Sequence, residues 1–66
     1  MKKELTINWY HYINFDGNHV IELEIINHIT GAINWKLYTG KNRKDVTAKA
    51  KRIETMVINR FNRIYK

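Results

Sequence analysis

The apolar period of this chain changes once, and that change constrains the fold more than any other feature. Up to residue 39 the hydrophobic residues recur at every second position; from Val46 onward they recur every three to four. In residues 4–13, Leu5, Ile7, Trp9, His11 and Ile13 alternate with Thr6, Asn8, Tyr10 and Tyr12. Asn14 to Asn18 interrupts the alternation with Asp16-Gly17, a pair that supplies positive φ cheaply and marks a hairpin. Residues 19–29 resume it, with Ile21, Leu23, Ile25 and Ile29 on one side and Val20, Glu22, Glu24, Ile26 and His28 on the other. Asn27 breaks this pattern, as a bulge would. After a second turn at Thr30-Gly31, Ile33, Trp35 and Leu37 are expected to continue the apolar face, with Asn34, Lys36 and Tyr38 opposite. Strands near 4–13, 19–29 and 32–39 then form a three-stranded antiparallel meander.

Gly40 and a polar, basic run end the alternation. Asp45 has the chemistry of an N-cap, since its carboxylate accepts from free amides and opposes the positive end of a helix dipole. Val46, Ala50, Ile53, Val57, Phe61 and Ile64 then line one face of a helix over residues 46–65, roughly 30 Å long. Its apolar stripe has only the sheet to cover, so the expected fold is a two-layer α+β domain of order βββα. Ile58 and Tyr65 fall on one flank of that stripe, where they widen the core or meet a second copy, and a homodimer is an open expectation.

Sixty-six residues bound the chain to one domain and one modest core. With no Cys there is neither a disulfide framework nor a thiolate metal site. The lack of Cys, of a signal-like apolar segment and of any run of about 18 apolar residues points to a soluble, cytoplasmic protein. No Ser, Pro or Gln occurs, a bias that fits an AT-rich genome such as that of a low-GC bacterium or its phage.

Charge is segregated. Residues 1–35 carry two lysines against four carboxylates, net −2, whereas residues 36–66 carry ten Lys or Arg against two carboxylates, net +8. On a helical wheel Lys49, Arg52, Arg60, Arg63 and Lys66 collect on one flank of the apolar stripe, and Glu54 lies on the other. Lys41, Arg43 and Lys44 precede them at the helix start. A basic edge beside a core face lets a helix lie along phosphates while packed on its own sheet, and Arg holds phosphate oxygens bidentately. The outward sheet face is a second candidate surface, with Asn8, Tyr10, Tyr12, Ile26, Lys36 and Tyr38 around Glu22 and Glu24. Exposed tyrosines stack on bases or anchor protein interfaces, but the two glutamates repel phosphates and favour a protein there.

Catalytic chemistry finds little support. Glu22 and Glu24 sit two residues apart on an open strand, with no pocket to shift a pKa. His11, His19 and His28 differ in facing, so no metal site or cofactor is expected. Thr39-Gly40-Lys41-Asn42 lacks the earlier glycine and the Ser or Thr of a phosphate loop. The order of sheet then helix with a basic end is similar in outline to the arm-type DNA-binding domains of phage integrases. That resemblance implies a sheet laid in the major groove, from which the acidic central strand departs. The leading expectation is a small accessory or regulatory protein of a phage or mobile element, binding DNA or RNA phosphates through the helix flank and the loop before it. The alternative is a phage-type inhibitor, such as an anti-CRISPR or host-takeover protein. It would cover a host protein or protein–nucleic acid complex with its tyrosine-bearing face.

Overall fold

The computed structural model describes residues 4–65. Three strands, β1 (Leu5–Ile13), β2 (His19–Asn27) and β3 (Ile33–Gly40), form an antiparallel sheet of order β1-β2-β3, followed by helix α1 (Arg43–Tyr65). The meander follows from its two turns. In the first, Asn14 Oδ1 accepts from the amides of Asp16 and Asn18, both at 3.0 Å, and Gly17 takes φ 81°. In the second, Asn27 Oδ1 accepts from the amides of Ile29 at 2.9 Å and Thr30 at 3.2 Å, and Gly31 takes φ 81°. Asn27 is therefore the end of the central strand, two residues earlier than its alternation suggests, and Ile29 belongs to the turn.

The helix covers one sheet face. Ile21, Leu23 and Ile25 of β2 are buried against Val46 and Ala50, with Leu5, Ile7, Trp9, Tyr38, Ile53 and Val57 packed around them. The flexible-to-rigid cost of so short a chain is met by this single apolar cluster, centred on the middle strand. Cover fades along the helix: Val46 and Ala50 are buried, Ile53, Val57 and Phe61 half-buried, and Ile64 exposed despite its place in the apolar stripe. Trp9 Nε1 donates to Glu54 Oε2 at 3.1 Å and ties β1 to the middle of α1.

Three expectations need correction. The helix starts at Arg43 and its cap is Asn42, whose Oδ1 accepts from the Lys44 amide at 2.8 Å. Asp45 instead occupies the third helical position, where its charge still opposes the dipole. The larger correction concerns β3. Ile21 pairs with Tyr38, Leu23 with Lys36 and Ile25 with Asn34, so these even-numbered residues of β3 face the helix. Ile33, Trp35 and Leu37 lie opposite Ile26, Glu24 and Glu22, on the outer face. The reason is the length of the second turn. The Asn27 amide donates to the Ala32 carbonyl at 2.9 Å, closing four residues, and an even loop sets odd positions of one strand against even positions of the next. The first turn, Asn14 to Asn18, spans an odd number between paired Ile13 and His19, and preserves the facing.

Candidate nucleic-acid interface

The flipped β3 rearranges both candidate surfaces. Lys36 and Tyr38, expected beside Tyr10 and Tyr12 on the outward face, lie on the helix side. There an open groove of about 670 Å³ separates β3 from the second half of α1. Lys36, Arg60 and Arg63 line it together, with Tyr38, Met56 and the carboxamides of Asn34 and Asn59. From β3 the polar side chains of Asn34 and Lys36 face this groove, opposite Ile53, Val57, Phe61 and Ile64 of the helix stripe.

Helical spacing extends this cluster. Lys49, Arg52, Met56, Arg60 and Arg63 follow one another at intervals of three and four, so they form one ridge along α1. All four cations of the ridge are exposed. Three carboxylates of the described residues lie away from this ridge. Glu54, on the opposite flank, is held by Trp9, while Glu22 and Glu24 are on the other side of the sheet.

The remaining sequence candidates separate. Arg43 lies beside His11, whose pKa falls below its ordinary value through desolvation first, then through the charges of Arg43 and His19. Arg43 and Lys44 stay together, lining a shallow depression with Thr47, Ala48 and Lys51 on the outward side of the helix. Lys41 is exposed in the connection between β3 and α1. Lys66 lies outside the described residues. Of the expected phosphate contacts, the structure aligns Lys49, Arg52, Arg60 and Arg63, and adds Lys36.

On the outer face, Tyr10 and Tyr12 of β1 stand beside β2, with Ile26 half-buried at one end. The Tyr12 hydroxyl donates to Glu22 Oε2 at 2.7 Å. Tyr10 and Asn8 both donate to Glu24 Oε1, at 3.2 and 3.1 Å. Each carboxylate keeps its tyrosine protonated: Glu24 raises the pKa of Tyr10 chiefly by its charge, and Glu22 raises that of Tyr12 chiefly through the hydrogen bond. Sequence reasoning missed Ile33, Trp35 and Leu37 as members of this surface. The one available signal was Asn27, whose break in the alternation is the turn's first residue.

Among the described residues no three His, Asp or Glu side chains converge as a metal site would need, and no helix is long and apolar enough to cross a membrane. No family model, curated protein or solved structure matches the chain.

Proposed function

We propose that the protein binds nucleic acid, and that it does so through the ridge and groove on the β3 side of α1. The observation that carries this reading is the convergence of Lys36, from the sheet, with Arg60 and Arg63, from the helix, in one groove. A solvated helix face accounts for cations on the helix alone. Lys36, exposed on the helix side of β3, adds a cation from the sheet to the same groove. From Lys49 to Arg63 the ridge spans about 21 Å, roughly the rise of six phosphates along one strand of a duplex. The arginines supply bidentate contacts to phosphate oxygens, Tyr38 and Met56 give the groove an apolar wall, and Asn34 and Asn59 offer donors and acceptors to base or sugar edges. Phosphate neutralisation dominates such an interface, so affinity comes mainly from counterion release and sequence preference is weak. The protein then acts as a binding module, an accessory or regulatory factor.

Fluorescence anisotropy with random-sequence DNA and RNA, single-stranded and duplex, across a salt series tests this. Five engaged cations give a slope of log K against log salt of about −4. The Lys36→Ala, Arg60→Ala, Arg63→Ala triple variant should bind at least about tenfold more weakly and flatten the slope by about 2. Arg43→Ala with Lys44→Ala should change little. Absence of binding to every oligonucleotide at low salt, or an unaltered slope in the triple variant, sinks the reading.

A further inference from the structure

The opposite side of the sheet carries different chemistry. Ile33, Trp35 and Leu37 are 55%, 55% and 56% exposed, on a strand with no neighbour on its far side. The rings of Tyr10 and Trp35 lie 5.9 Å apart across the central strand, tilted by 31°. Between them run Glu22 and Glu24, and the register places no Lys or Arg on this face of the three strands. The carboxylates are held by neutral donors only, through Oε2 of Glu22 and Oε1 of Glu24. Among the described residues no cation pairs with them, and the other oxygen of each accepts no hydrogen bond.

The molecule as a whole has a large surface for its mass. The chain exposes 5171 Å², whereas a folded monomer of its 8.0 kDa exposes about 4,500 Å². The excess, about 700 Å², is shared by the outer sheet face, the open groove and the exposed end of α1. Apolar strands of this kind are seldom left wet on a monomer.

Charge decides what covers the face. A second copy docked face to face would bring two sets of like carboxylates together in a drying interface. A second copy docked head to tail would set this face on the basic ridge, occlude the proposed nucleic-acid groove and generate rings or open chains. Nucleic acid is repelled by the glutamates. What remains complementary is a surface both cationic and apolar. Arginine meets both conditions, because its planar guanidinium stacks on aromatic rings and forks onto a carboxylate.

We propose that the outer sheet face docks a partner protein that presents arginine among apolar side chains, the guanidinium pairing with Glu22 or Glu24 and stacking on Trp35 and Tyr10. Ile33 and Leu37 bury the apolar neighbours. The two faces then work independently: the helix side holds nucleic acid, and the sheet side holds a protein.

The test uses the full chain, isotopically labelled, at physiological ionic strength, titrated with peptides of about eight residues, matched to a strand of this length. One peptide alternates arginine with leucine; its control alternates glutamate with leucine. The arginine peptide should bind in the micromolar range and shift the Trp35 indole and Leu37 methyl resonances. Those of Trp9, on the helix side, should stay in place. Glu22→Gln with Glu24→Gln keeps acceptors for the tyrosine hydroxyls, and should weaken this binding about tenfold. It should leave binding of DNA unchanged or tighter. Four outcomes overturn the proposal: no binding of the arginine peptide, equal binding of both peptides, undiminished affinity in the double variant, or shifts confined to α1. A closed dimer in sedimentation with Trp35 buried, or Trp35 shifts on adding oligonucleotide instead of peptide, would overturn it in favour of those occupants.

Discussion

A Cβ on Gly40 would lie 2.7 Å from Cγ2 of Val46, the residue where the helix first presses on the sheet. No special backbone conformation is involved, since the positive φ values belong to Gly17 and Gly31. The last residue of β3 is small so that the chain can turn into α1 and still bury Val46 against the middle strand.

Gly40→Ala should therefore destabilise the protein by about 1–3 kcal/mol through overpacking. Urea unfolding should show a lower midpoint with an unchanged slope. In combination with Val46→Ala, which removes the clashing methyl, the loss should be clearly smaller than the sum of the single losses. Strict additivity would show that the contact relaxes elsewhere.

Asn27 supports two different structures, and they can be separated. Its Oδ1 organises the second turn, while its Nδ2 donates to the Tyr65 hydroxyl at 3.4 Å, linking the turn to the last residues of α1. Asn27→Ala removes both and should cost about 1–3 kcal/mol, the range for leaving turn amides without their acceptor. Asn27→Asp keeps the acceptor for the turn and removes the donor to Tyr65, whose hydroxyl would have to donate instead, so it should retain most of the stability. Cross-strand contacts between Ile26 and Ile33, observed by NMR, report whether the β3 register survives in each.

The strands and the helix were legible because each is built by periodicity, which is local. Asp16-Gly17, Thr30-Gly31 and the shift to a 3.6-residue period placed all four elements within a few residues. The facing of β3 was not legible in the same way. Ile33, Trp35 and Leu37 look like a continuation of Ile21, Leu23 and Ile25, and only the number of residues closed by the Asn27 turn shows that they are not. The basic ridge followed from helix geometry. Its meeting with Lys36 depended on that same turn, and so was hidden. The cap was missed because two short polar residues, Asn42 and Asp45, compete for the role, and hydrogen bonding decides for the earlier one.

A third prediction concerns acid. His11 Nε2 and His19 Nδ1 are 3.0 Å apart, with rings stacked at 5.2 Å, and one nitrogen must donate while the other accepts. Protonating His11 places a cation beside the charge of Arg43. Because the folded His11 has a lowered pKa, the unfolded chain takes up its proton first as the pH falls. This contribution to stability is complete above the ordinary histidine value of about 6.5 and declines below it. Urea midpoints should accordingly fall as the pH drops below about 6.5, and fall less in a His11→Gln, His19→Gln variant. An identical decline in that variant would assign the acid sensitivity to other groups.

The carboxamide of Asn27 fixes the number of residues in its loop, and with it which chemistry reaches each side of the protein. Were one codon inserted just after Gly31, the held loop would pass the extra residue into the strand and rotate β3 by half a turn. Trp35 and Leu37 would go under the helix, and Lys36 would leave the company of Arg60 and Arg63. A single in-frame insertion would enlarge the core while dismantling both proposed binding surfaces. The lineage of such a protein can thus exchange stability for recognition in one mutational event, with every side chain conserved.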